Sequence, residues 1–190
     1  MKLLYDLEYY FTPPPKKIMY CYLEYQDLFD EAQRRIGNIE FHQGVPSQDE
    51  IDSWSSEKDG GLLILDDLMS FITGSPEMVS VFTVKCHHRN ITTMMLNQSL
   101  YPPGRYSKTI SLNCNYFLLF KNARDLRQVK CLGGQMLPEQ LSYFMQSYNN
   151  STAKPFNCLC IDIHPKSDRK YQLRTGILKD EQMTIFVPKI

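Results

Sequence analysis

Short apolar runs recur along this chain, separated by polar stretches rich in Gly and Pro, and their internal spacing switches between a helical and a strand period. Leu3, Leu4, Leu7 and Phe11 share one helical face, so the first eleven residues read as an amphipathic helix that stops at Pro13-Pro14-Pro15. Residues 17–22 predict a strand, 27–35 a polar helix, and 39–43 a short alternating strand ending at Gly44. Residues 45–61 read as loop, with at most one turn of helix. After Gly60-Gly61, residues 62–65 (LLIL) are apolar without a break. That lack of alternation predicts a strand buried on both faces, as in a parallel sheet.

The second half repeats the rhythm. Ser75-Pro76-Glu77 supplies a cap, a first-turn proline and a first-turn acid, and Met78, Val79, Phe82 and Cys86 then share a helical face. Residues 92–97 predict a buried strand, 99–111 a loop and 115–120 a further strand. A helix over about 123–132 is expected to end at Gly133-Gly134. Pro138 opens another, with Leu141, Phe144, Met145 and Tyr148 on one side. Residues 156–163 predict a strand, and 172–177 with 183–187 a closing hairpin. Strands alternating with helices predict a single α/β domain over 1–190, with a largely parallel sheet, flanking helices and a C-terminal antiparallel edge.

Composition narrows the class. At 190 residues the chain is long enough for a real core, and 43% hydrophobic with 22% charged residues is ordinary for a globular protein. Twenty-one basic residues balance twenty-one acidic ones, so contact with a polyanion would rest on a local patch. Asp6 and Glu8 interrupt the start where a signal peptide needs an apolar stretch, and no run reaches the length of a membrane span. With six scattered cysteines that suit reduced thiols, the expected setting is intracellular, cytoplasm or nucleus, with no membrane partner.

Candidate chemistry concentrates at strand ends. Asp66 and Asp67 stand where the LLIL strand emerges, an arrangement that resembles a Walker B motif. There the first acid holds Mg²⁺ through its water shell and the second orients the attacking water. The strand over 92–97 ends in Asn97-Gln98, and the Gln98 amide suits hydrogen bonding to such a water. Arg89 precedes that strand and, in a ring assembly, is a candidate arginine finger toward a neighbour's nucleotide. Cys86, His87 and His88 are a weak zinc signal, because no CxxC pair completes a four-ligand set.

Taken in order, PPKKIMYCYLEYQDLFD (14–30), IEFHQGVP (39–46), LLILDDLMS (62–70), HHRNITTMMLNQSL (87–100), ISLNCNYFLLFKNARDLRQVKCL (110–132) and LRTGI (173–177) resemble one family. It is similar to the DNA-packaging ATPases of the FtsK–HerA superfamily, in the branch of poxviruses and Maverick/Polinton elements. The resemblance implies a P-loop NTPase core of RecA/ASCE type and a homo-oligomeric ring. It further implies ATP and Mg²⁺ as cofactors, double-stranded DNA as cargo, and capsid or portal proteins as partners. It casts Asp66 as the Mg²⁺ acid, Asp67 as the catalytic acid, Gln98 as the sensor and Arg89 as the arginine ahead of the sensor strand. Arg105 and Lys108, in the loop after Gln98, become candidate DNA contacts facing a ring pore.

One part of the family pattern is missing. Nothing here matches the Walker A loop G-x-x-x-x-G-K-[ST], which is expected upstream of Met1 together with the first strand. That strand would lie between those at 92–97 and 115–120. Without it these two either close against each other or leave a groove with unpaired backbone groups, and the sheet is expected to be marginal in solution. An alternative reading is a non-catalytic interaction domain derived from such an ATPase.

Overall fold

A computed structural model describes residues 1–55 and 60–188, apart from the side chain of His87. Part of the expected loop, residues 56–59, lies outside the described residues. The chain divides into two compact units, 1–113 and 114–190.

The first unit is built on a parallel sheet of four strands: β1 (Lys17–Tyr22), β2 (Ile39–Gln43), β3 (Gly61–Asp66) and β4 (Ile91–Leu96), in the order β2-β1-β3-β4. Its register is set by β3, which pairs Leu63 with Met19 on one side and with Thr93 on the other. As the unbroken apolar run requires, β3 is buried on both faces. Leu62 and Ile64 pack with Ile18, Tyr20, Phe29 and the N-terminal Leu4 and Leu7, whereas Leu63 and Leu65 pack with Ile51, Trp54, Ile72, Met78 and Val81. Helices therefore cover both faces of the sheet, as crossover connections between parallel strands dictate.

Several local features depart from the expectations. The first eleven residues form two short helices, α1 (Lys2–Tyr5) and α2 (Leu7–Tyr10), interrupted at Asp6. Helix α3 (Leu28–Arg35) is as expected, but residues 48–54 form a full helix, α4 (Gln48–Trp54). Its signal was a capping box: Ser47 Oγ accepts from Glu50 N–H, and Glu50 Oε2 accepts from Ser47 N–H at 2.7 Å. After β3 come α5 (Met69–Ile72) and α6 (Pro76–Ser80), the latter capped by Ser75. A π-helical turn (Val81–Lys85) then leads into α7 (Cys86–His88). The loop after β4 ends in a six-residue helix, α8 (Ser107–Leu112), rather than continuing as coil.

The second unit is an antiparallel sheet of β5 (Tyr116–Phe120), β6 (Cys158–Asp162), β7 (Leu173–Thr175) and β8 (Thr184–Ile185), with α9 (Leu126–Met136) and α10 (Leu141–Ser151). The antiparallel strands thus form a sheet of their own, where an edge of the parallel sheet was expected. Strand β4 is an edge strand of the parallel sheet, and β5 is an edge strand of the antiparallel one. Within the second unit α10 packs against α9, β6 and β7. Tyr148 Oη, inside this packing, donates to Phe120 O and accepts from Asn122 N–H, satisfying the backbone where β5 ends.

Helix α9 runs through Gly133-Gly134 instead of stopping there. A Cβ on Gly133 would stand 2.3 Å from Cδ1 of the fully buried Phe144, so this glycine lets α10 approach, and tertiary packing outweighs its poor helix propensity. Gly134 has open space around it. Gly133→Ala is expected to lower stability by about 1–3 kcal/mol through overpacking. Gly134→Ala should be neutral or stabilising by up to about 1 kcal/mol. Denaturant midpoints at unchanged slope check both.

Candidate functional site

Parallel strands deliver their last residues to one edge of the sheet, and ligands in α/β proteins bind outside the carboxyl ends of such strands. Of the four such ends in the first unit, those of β1, β3 and β4 meet at one site. Tyr22, Leu23, Glu24 and Gln26 follow from β1, Asp66 and Asp67 from β3, and Leu96, Asn97 and Gln98 from β4. Together they line an open cleft of about 570 Å³.

Asp66 is half-buried at the end of β3, and its Oδ2 accepts a hydrogen bond from Tyr20 Oη at 2.7 Å. Parallel register explains the contact. Tyr20 pairs with Ile64, so its ring shares a face with Ile64 and Asp66 and its hydroxyl reaches up the strand. Burial, reinforced by the hydrogen bond to Asp66 and by that carboxylate's charge, pushes the Tyr20 phenol well above its ordinary range. The α-amino group of Met1 is also within electrostatic reach of Asp66. Burial lowers its pKa, and Asp66 opposes the shift.

Asp67 is exposed and adopts the left-handed backbone conformation, with φ 56°. Asp tolerates that region better than most residues, and here it turns the chain out of the sheet directly after β3. Its N–H still donates to Leu96 O at 3.1 Å, extending the β3–β4 ladder by one rung. Its Oδ2 accepts from Gln98 Nε2 at 3.0 Å. The structure thus brings Asp66, Asp67 and Gln98 into one cleft, and adds two residues that the sequence pattern did not single out: Glu24 in its lining, and the buried Tyr20, which bonds to Asp66. A phenol inside the apolar KIMYCY run was the available signal for Tyr20.

Comparison with models of known families, with curated proteins and with solved structures returns no match.

Arg89 lies elsewhere. It precedes the amino end of β4, whereas Gln98 follows its carboxyl end, so a whole strand separates it from the cleft within its own chain. Its Nη1 donates to Asp52 O and Ser55 O, both at 3.1 Å, and its Nη2 pairs with Asp52 Oδ1 at 3.4 Å. Lys85 also bonds to Asp52. In its own chain Arg89 therefore ties the end of α4 to the start of β4. Arg105 and Lys108 are exposed, in a segment pinned at Thr73. Thr73 Oγ1 donates to Pro103 O, and Thr73 O accepts from Tyr106 N–H.

Donor chemistry decides what the cleft can hold. Its lining includes three carboxylates and three amides and no lysine or arginine, so it offers little to phosphate oxygens by itself. A hydrated Mg²⁺ needs only one or two carboxylate oxygens, and Asp66 and Asp67 fit that demand. Among the described residues no group of three or more His, Cys, Asp or Glu is disposed to hold a metal ion directly. Zinc gains no support: Cys86 Sγ is hydrogen-bonded with Thr93 Oγ1 at 2.9 Å, His88 is exposed, and the His87 side chain lies outside the described residues. All six cysteines are free thiols. No helix among the described residues is long and apolar enough to cross a membrane.

The Tyr20 and Arg89 contacts each carry a measurable consequence. Tyr20 keeps its proton more tightly when folded, so its contribution to stability is complete below pH 10 and declines as the pH rises above it. Cys21, pushed from 9.0 up to about 12 chiefly by burial, acts in the same direction across that window. Urea midpoints should therefore hold steady near neutrality and fall in alkali, and Tyr20→Phe should flatten the part of the fall above pH 10. Arg89→Ala should lower stability by about 1–2 kcal/mol, because it leaves the Asp52 and Ser55 carbonyls without their donor. An unchanged melting curve for that variant would remove its structural role.

Proposed function

We propose that the Asp66–Asp67–Gln98 cluster is the metal- and water-binding half of a nucleoside-triphosphate hydrolysis site, in a chain related to the DNA-packaging ATPases of the FtsK–HerA superfamily. The reading is supported by one observation above others. Of two consecutive carboxylates at the end of a doubly buried parallel strand, the second meets a glutamine just past the end of the next strand, with Gln98 Nε2 3.0 Å from Asp67 Oδ2. A carboxylate oriented by an amide is suited to accept a proton from, and align, a water attacking a phosphoryl group. Mg²⁺, when bound, would neutralise charge on the phosphate oxygens. Asp66 would hold its water shell, and the Tyr20 hydroxyl keeps that carboxylate fixed in direction.

What the cleft lacks is the other half. Phosphate binding of this type uses backbone N–H groups and a lysine, and the 190 residues contain no G-x-x-x-x-G-K-[ST] loop. Strand β4 is an edge strand, so one side of its backbone lies outside the ladder and suits a further strand beside Gln98. The completed form would act as a ring subunit threading double-stranded DNA toward capsid or portal proteins. A second reading, a non-catalytic interaction domain of the same ancestry, is favoured by the absence of lysine and arginine from the cleft lining.

The test is binding of a non-hydrolysable ATP analogue, comparing the 190-residue chain with a version extended in frame at its amino end. Binding by the extended form alone is the expected result, with Mg²⁺-dependent turnover that Asp67→Asn lowers by about a hundredfold or more. Extended protein that binds no nucleotide would favour the interaction-domain reading. Turnover by the 190 residues alone would overturn the assignment of the missing half.

A further inference from the structure

Overall neutrality conceals a partition. Residues 114–190 carry eleven Lys and Arg against six Asp and Glu, whereas residues 1–113 carry ten against fifteen, so the two units bear +5 and −5. In the second unit the excess gathers in one segment. Lys121 directly follows β5, Arg124 lies in the turn before α9, and Arg127 and Lys130 stand one helical turn apart on α9. Arg124, Arg127, Lys121 and Lys130 are all exposed, and among the described residues none of their side chains has an ion-pair partner. The single acid between residues 114 and 138, Asp125, is engaged as the N-cap of α9. Its Oδ1 accepts from Arg127 N–H at 3.1 Å and its Oδ2 from Gln128 Nε2 at 3.0 Å.

Two aromatic rings lie at the same end of the β5–β6 ladder. Phe120, 57% exposed, immediately precedes Lys121. The antiparallel register pairs Phe120 with Cys158, which places Phe156, two residues earlier, beyond that same end. Phe156 is 95% exposed, and its backbone is left-handed with φ 65°, a region that bulky residues rarely adopt. A phenylalanine held open to water in a disfavoured conformation contributes nothing to the core. The exposed Lys154 sits in the same turn, which Asn157 N–H closes by donating to Lys154 O.

We propose that this end of the second unit binds single-stranded nucleic acid. Phe156 and Phe120 offer faces on which unpaired bases stack, and Lys121, Arg124, Arg127 and Lys130 meet the phosphates. Unpartnered like charges at short spacing repel one another, and a polyanion relieves that repulsion while releasing its own counterions. Charge alone would suit any polyanion. The exposed rings beside it select a ligand with free aromatic faces, because every base has one and a duplex keeps its bases stacked internally. The surface uses no residue of the acid cleft, and its occupant differs from the duplex cargo of the nucleotide-site reading.

Fluorescence anisotropy with a labelled oligothymidylate and a duplex of equal length, without ATP or Mg²⁺, tests the proposal independently of that reading. The full chain should bind the single strand more tightly than the duplex, with affinity falling as salt rises. The variant carrying Lys121→Ala, Arg124→Ala, Arg127→Ala and Lys130→Ala should bind weakly, its salt slope reduced by up to about 0.7 for each phosphate left without a cation. Phe156→Ala should weaken binding on the order of tenfold while leaving the salt slope unchanged. All five positions are exposed, so the substitutions spare the core. No binding, a preference for duplex, or unaltered affinity in either variant would overturn the proposal.

Discussion

Leu62, Leu63, Ile64 and Leu65 are withdrawn from water on alternating faces of β3, each at 1% exposure or less. Removing a side chain of this size from water is worth about 1.5–3 kcal/mol, so the strand can exist only between two apolar layers. That requirement places α1, α2 and α3 on one side of the sheet, and α4 with the α5–α7 segment on the other. It also sets the register of β1 and β4, because a slip of one residue would exchange every side chain between the layers.

The acid cleft is a by-product of the same constraint. Once the four strands run parallel with fixed register, the first polar residues after each must emerge at a common edge. Asp66 meets the Tyr20 hydroxyl because the two share a face, and Asp67 meets Gln98 because β3 and β4 end together. The left-handed turn at Asp67 belongs with this geometry: it takes the chain off the sheet where the ladder still holds its N–H. Rigidity of the site comes from the sheet below it.

The second unit solves its packing differently. Its antiparallel strands use helices α9 and α10, and the close approach of those helices depends on one missing Cβ, at Gly133. Its charge is opposite to that of the first unit, and its exposed aromatic and basic residues lie together at the β5–β6 end. Local chemistry of this kind is hidden in a neutral composition.

The strands of the parallel sheet, the burial of residues 62–65 and the acids at the end of that strand were legible in the sequence, because each rests on periodicity or on adjacency along the chain. Helix α4 reads as loop because its polar composition conceals it, although the capping box at Ser47 and Glu50 lies in the sequence. Other features were decided only in three dimensions. Gly133 reads locally as a helix stop but makes room for Phe144, since propensity is weaker than packing. Arg89 reads as a candidate arginine finger, and its contacts to Asp52 and Ser55, more than thirty residues earlier in its own chain, appear only in the fold. The pairing of Tyr20 with Asp66, the division into two sheets and the segregation of charge depend on register and on long-range contacts. Those are set by burial of the whole chain at once, and no local window of sequence contains them.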